Sequence, residues 1–254
     1  MTMTVQLYSV REAVATDPVG TFERLRDLGF EAVELFDLGT HEEVFAEALR
    51  ASGLVAPSGH APLLAAAEPE ALLDAAARLG VVTVIEPAVL EGWSDVAGIA
   101  DIASRLNALV PAATARGLTL GYHNHWWEFG DLDGRTALEV FAHWLDPAIV
   151  LEVDVYWAEV AGVRAPALLE RLGERAALLH VKDGPIERDP SSQLPAGQGA
   201  VDIPAVLAAA PRAARIIEFD AYRGDVFEGI TASRDYLAAT ACTSRSAAAV
   251  RCSR

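Results

Sequence analysis

The sequence predicts an α/β fold, a single-domain (β/α)8 TIM barrel, on three observations. Short apolar runs alternate with longer helical patterns about eight times along 254 residues. No break in composition separates the repeats. Ionisable residues recur at the downstream ends of the apolar runs. Apolar strands separated by helices call for a parallel sheet covered on both faces. Eight such units in a chain of this length suit one closed barrel better than a two-domain doubly wound arrangement.

Element by element, VQLYSV (5–10) reads as the first strand, followed by a helical FERLRDLGF that Gly29 closes. AVELF (32–36) precedes HEEVFAEALRASG, with apolar residues at 44, 45, 48 and 49. LVAPSGH (54–60) leads to PEALLDAAARLG, where Leu72, Leu73, Ala76 and Leu79 share one helical face. VVTVIE (81–86) precedes one long helix from about Ser94 to Arg116, then comes LTLGYHNH (118–125). TALEVFAHWL is helical, IVLEVD (149–154) a strand, PALLERLG a helix and ALLHVKD (177–183) a strand. IPAVLAAA, the strand RIIEFD (215–220) and a helix around ITASRDYLAA complete a barrel spanning 1–239. The remaining 240–254 have no apolar period and are expected to be a disordered tail.

Composition narrows the partners. Hydrophobic residues are 52% and charged residues 22%, enough for a core and too apolar for global disorder. The formal charge of -16 repels phosphate backbones and anionic lipid, which argues against nucleic acid and membrane. Apolar stretches such as VVTVIEPAVL are too short to span a bilayer. The start, MTMTVQLYSVREAV, lacks the basic and apolar regions of a secretory signal, so a cytoplasmic setting is expected. Cys242 and Cys252 both lie near the end and cannot organise the body through disulfides or thiolate zinc.

Glu34, His60, Glu86, His123, Asp154, His180 and Glu218 stand at or near successive strand ends, which a parallel barrel gathers on one face. In GYHNHWWEF, His123 and His125 share a strand face. The pair suits a metal site, or equally two hydrogen-bonded imidazoles in a polar mouth. Glu152 shares a face with Asp154, and Lys182 with His180. Taken together, His123, Asp154, His180 and Glu218 offer two imidazoles and two carboxylates from consecutive strands. That set suits a divalent cation, with Mn2+ placed first and Zn2+, Co2+ or Mg2+ as alternatives. Trp126 and Trp157 are candidates for stacking on a sugar or for filling a loop core, whereas Trp144 reads as core. His60 and Glu86 could shuttle protons, bind substrate or form an ordinary polar pair. The polar stretch 183–202 has the length of a lid or binding loop, or of a mobile surface excursion.

The segments LYSVRE, GFEAVELF, SGHAP, GYHNHWWEF, LEVDVYWAEVAG, LLHVKDG, GQGAVDIPAVL and IIEFD occur in an order that resembles the xylose isomerase-like TIM-barrel superfamily. That group includes sugar (phosphate) isomerases and epimerases, inosose dehydratases and the zinc endonucleases of abasic-site repair. The resemblance covers about Val5 to Leu237 and implies one divalent metal held by Glu, Asp, His and Glu from strands five to eight. Asp154, His180 and Glu218 match the last three positions; His123 stands where the strand-five glutamate is usual. Loss of that carboxylate weakens a symmetric two-base epimerisation, so Glu218 becomes the candidate base, with His125, Glu86, His60 or Lys182 as partner. Substrate contacts are expected from His60, Glu34, Trp126, Trp157 and Gln198. His60 also matches a ligand position of the endonuclease branch, but Glu86 and Trp157 replace two of its histidines, which together with the charge argues against DNA repair.

The resemblance therefore implies a metal-dependent isomerase or epimerase acting on a small sugar or keto-polyol through an enediolate. A lyase of the inosose-dehydratase kind and a non-catalytic sugar-binding barrel are the alternatives. Members of the group often pair, which allows a homodimer.

Overall fold

The computed structural model describes the backbone of residues 3–251 and the side chains of residues 3–240. Eight parallel strands close into a barrel, labelled β1 (Thr4–Gln6), β2 (Ala32–Leu35), β3 (Val55–His60), β4 (Thr83–Glu86), β5 (Thr119–His123), β6 (Val150–Asp154), β7 (Ala176–Val181) and β8 (Ala214–Ile217). Each strand pairs with its neighbours in sequence, and β1 closes the ring on β8 through Thr4↔Ile216 and Val5↔Ile217. All eight sequence-derived strands are present, and their carboxyl ends share one face as parallel closure requires.

The register slips twice, once between Ala32 and Glu34 along the β2–β3 pair and once between Leu151 and Glu152 along β6–β7. Such irregularities re-aim the side chains beyond them. Here those side chains include Glu34, His60, Glu152 and His180.

Local chemistry sets the helix limits. The first strand ends sooner than the apolar run suggests: Leu7–Val10 turns into a 3-10 helix, with the Gln6 side chain accepting from Tyr8 N. The long helix expected from Ser94 divides into Val96–Asn107 and Val110–Thr114. Pro111, in the first turn of the second segment, cannot donate to a carbonyl of the first. Asp17, Asp95 and Asp202 cap their helices through backbone N–H groups, and Thr136 with Glu139 forms a capping box. The last helix runs Val226–Arg251 and continues through the segment expected as a tail, whose side chains from residue 241 on lie outside the described residues.

Most apolar side chains fill the layer between strands and helices, with Phe22, Phe45, Tyr122 and Phe141 fully buried. A small second cluster, Ile85, Leu178 and Ile216 with Val150 packed against it, lies apart from that layer. These residues come from β4, β7, β8 and β6 and alternate with polar side chains nearer the mouth.

Candidate functional site

Alternation along the strands builds the site in layers. On β7, Leu178, His180 and Lys182 follow one another at two-residue spacing; on β6, Val150, Glu152 and Asp154 do the same. Above the apolar cluster, Glu34 accepts from Gln6 Nε2 at 2.9 Å and from the Ser58 hydroxyl, and meets His180 Nε2 at 2.7 Å. Glu152 Oε2 lies 2.7 Å from His60 Nε2, 3.1 Å from His180 Nε2 and 3.2 Å from His123 Nδ1. Burial opposes protonation of His60, but Glu152 and Glu34 outweigh it and push its pKa up to about 9. Glu34 is likewise held well below the usual carboxylate range by His60 and His180 despite its burial.

The next layer holds the expected metal ligands. His123, Asp154, His180 and Glu218 are all buried, and each offers a ligand atom within 4.8 Å of the others. Asn124 brackets Asp154, its Oδ1 accepting from Asp154 N at 3.1 Å and its Nδ2 donating to Asp154 O at 3.3 Å. Asp154 Oδ1 caps the following helix by accepting from Trp157 N at 3.0 Å. Asp154 Oδ2, Glu218 Oε2 and His180 Nδ1 are buried without a hydrogen-bond partner. They are nevertheless close to neighbours: His180 Nδ1 to Glu218 Oε2 is 2.6 Å, and Lys182 Nζ lies 2.8 Å from Asp154 Oδ2 and 2.7 Å from Glu218 Oε2. These ion pairs hold the carboxylate oxygens of Asp154 and Glu218 within the cluster. Two imidazole and two carboxylate donors therefore fit a divalent cation of the mixed N/O class. Glu34, on the far nitrogen of His180, supplies the carboxylate–histidine support usual behind such ligands.

A second buried set, His60, His123, Glu152 and His180, also converges within 4.8 Å. Its members are joined by the His60–Glu152 hydrogen bond, so it reads as the scaffold of the first.

Above the ligands opens a cavity of about 320 Å³. It is lined by the polar residues Asp37, His60, His123, His125, Glu218 and Asp220 and by Tyr8, Phe36, Pro62, Pro87 and Ala88. His125 stacks on Trp127 at 4.3 Å, and its Nδ1 has no hydrogen-bond partner. Burial and the nearby Lys182 push its pKa down to about 4, which leaves the ring neutral at pH 7.

The remaining sequence candidates are placed differently. Glu34 is fully buried among Gln6, Ser58 and His180 and does not line the cavity, so it supports ligands rather than substrate. Glu86 is out of phase with Ile85, the β4 residue of the small apolar cluster; it accepts from Leu64 N at 2.8 Å and does not line the cavity. Trp157 is buried, Trp126 lies under the Arg188 guanidinium at 3.9 Å, and Gln198 is exposed; none lines the cavity. Trp144 is 48% exposed, because its helix end faces solvent, and so is not core. Lys182 is buried beneath the cavity rather than on its wall.

The sequence assigns no role to Glu128 or Asp220 and shows Asp183 only as the residue that opens the loop 183–202. Glu128 accepts from the Tyr122 hydroxyl at 2.9 Å and from His125 N at 2.9 Å, fixing the segment that carries the histidines. Its place in HNHWWEF was visible, but its partners were not. The loop 183–202 is pinned rather than loose. Asp183 accepts from Gly184, Gly197, Gly199 and Val201 N–H groups, and Gln193 bonds Asp220 through both ends of its amide.

A closed eight-stranded parallel barrel with a mixed-ligand cluster at its carboxyl end defines the class of protein. The chain belongs to the xylose isomerase-like TIM barrel family, whose sequence model matches residues 22–216. Among curated proteins no sequence matches it significantly. Among solved structures it is similar to a sugar phosphate isomerase/epimerase from Parabacteroides distasonis, with 22% identity, TM-score 0.81 and 93% of each chain covered. It is also similar to the IOLI protein with a bound zinc atom, at 14% identity and TM-score 0.70, covering 94% of this chain and 98% of that one. A third is the probable 3-DHS dehydratase AsbF from Bacillus anthracis, at 13% identity and TM-score 0.72, covering 94% and 99%. At these identities the likeness is one of fold.

Proposed function

We propose that the protein is a divalent-metal-dependent isomerase or epimerase acting on a small polyhydroxylated carbonyl compound. The observation that carries this reading is the convergence of His123, Asp154, His180 and Glu218 beneath a cavity lined by His125. A cation held by those four residues would polarise a carbonyl and its adjacent hydroxyl; Mn2+ is our first choice. Glu218 faces the cavity and is the base that removes the C–H proton next to the carbonyl, the electron pair moving into an enediolate. Glu218 then returns that proton to the neighbouring carbon of the enediolate to give the isomer, while the neutral ring of His125, which also lines the cavity, hydrogen-bonds a substrate hydroxyl. Lys182 keeps Asp154 and Glu218 in place through its ion pairs.

One feature favours a second reading, a lyase that eliminates water β to a ketone. His123 takes the strand-five position, and Asp154 is fully buried, so Glu218 is the one carboxylate of the ligand set that lines the cavity. One-base chemistry of that kind suits elimination as well as isomerisation.

Elemental analysis of the purified protein tests the metal: about one divalent ion per chain is expected, lost in Asp154→Ala and His180→Ala. Incubation with ketoses and keto-inositols plus Mn2+ separates the reactions. A new sugar without absorbance growth supports isomerisation, and a growing enone absorbance supports the lyase. Absence of both bound ion and turnover would remove the reading.

A further inference from the structure

We infer that the substrate is unphosphorylated: a neutral polyhydroxylated carbonyl compound that rests its carbon face on Tyr8 and Phe36. This deepens the functional reading above and rests on it. Three features argue against a phosphate ester.

The first is the charge of the wall. No arginine or lysine is among the described residues that line the cavity, whereas Asp37, Glu218 and Asp220 are. The chain has a single lysine, Lys182, and its ammonium is already paired with three carboxylates, Asp154, Glu218 and Asp220, at 2.7–2.8 Å. Arg11 stacks on the Tyr8 ring at 4.2 Å and donates to the Tyr8 carbonyl, outside the lining. A phosphate monoester brings roughly -1.5 to -2 charges at pH 7. It would meet like charge with no basic side chain on the lining to pair it, which costs affinity.

The second is the state of the backbone. Barrels of this architecture often seat phosphate on the N–H groups of the loops after strands seven and eight. Here the loop after β7 has such a nest, and the protein's own carboxylate fills it. Asp183 accepts from Gly184 N at 2.8 Å, Gly197 N at 2.9 Å, Gly199 N at 2.9 Å and Val201 N at 3.0 Å, and it is fully buried. A β-carbon at position 199 would collide with that carboxylate, so the loop is shaped around it.

The third is the apolar part of the lining. Tyr8, Phe36, Pro62, Pro87 and Ala88 offer carbon surface, with Tyr8 set edge-on to Phe36 at 6.0 Å. Such carbon surface suits the C–H face of a ring or chain whose hydroxyls reach the histidines.

The test is equilibrium binding of matched pairs to the full-length wild-type protein in phosphate-free buffer. Suitable pairs are D-fructose with D-fructose 6-phosphate and a keto-inositol with its phosphate ester, and inorganic phosphate is run alone. The parent of at least one pair should bind at least about tenfold more tightly than its ester, and millimolar phosphate should leave the melting temperature unchanged. Asp37→Asn should narrow the ratio by strengthening only the ester. An ester that binds as well as its parent, or phosphate that stabilises the wild type, overturns the inference. Turnover of the ester alone does so too while sparing the isomerase or lyase reading. If no member of any pair binds, the polyhydroxylated-carbonyl reading falls and takes this inference with it.

Discussion

Lys182 illustrates how one side chain joins stability to function. Its ammonium is buried against Asp154, Glu218 and Asp220, and their charges outweigh the burial that would otherwise lower its pKa. Removing one partner of a buried ionic cluster leaves the others uncompensated. Lys182→Met should therefore lower the unfolding free energy by about 3–5 kcal/mol in urea titrations. Adding Asp220→Asn should recover part of that loss, and simple additivity of the two changes would show the charges to be uncoupled. Glu86 makes a different prediction. Burial raises its pKa from the ordinary 4.5 to about 7, against the Leu64 and Ala88 amides that favour the carboxylate. A carboxyl whose folded pKa is raised adds stability that is complete below pH 4.5 and is lost as the pH rises through 7. Glu86→Gln lacks that slope, so it should gain on wild type by on the order of 3 kcal/mol across the window. Denaturant midpoints at several pH values check this, and parallel curves would refute it. The strand-end pattern made Glu86 visible and the face shared with His180 made Lys182 visible, but Glu86's orientation depended on strand phase.

The loop 183–202 shows the same logic in a longer segment. Its length, Pro and Gly content and polarity suggest a lid or a mobile excursion, and nothing local reveals that Asp183 collects four N–H groups up to 18 residues away. Asp183→Ala would leave the four donors unpaired, and those of the buried Gly184 and Val201 cost about 1–3 kcal/mol each. We expect a loss of at least about 3 kcal/mol and new protease cleavage within 184–200. Unchanged protection would mean that the Gln193–Asp220 pair and the Tyr156–Glu187 contacts suffice. The segment after β5 is set comparably: Glu128 ties His125 to Tyr122, while Asp133 and Gly134, both at positive φ, turn the short hairpin that follows. The helices were more legible, because apolar spacing and Asp caps are local signals. Pro111 carried the break that periodicity alone ran through.

Across the whole chain, the charge of -16 sets a repulsive background that the folded state concentrates. Salt should therefore raise the melting temperature between low ionic strength and about 0.5 M NaCl, since screening at that strength acts over a few ångströms. A falling melting temperature would assign the net stability to the surface ion pairs instead. No helix among the described residues is long and apolar enough to cross a membrane. The amino-acid order alone settled the alternation of strands and helices, hence the closed barrel and the gathering of His123, Asp154, His180 and Glu218 at its mouth, because alternation and parallel closure act on every strand alike. Long-range packing settled which nitrogen of His180 faces Glu34 and which faces Glu218, that Glu86 turns from the cavity, and that Lys182 and Asp183 are spent on partners from other segments. Those outcomes hang on register slips and loop closure, and no window of neighbouring residues contains them.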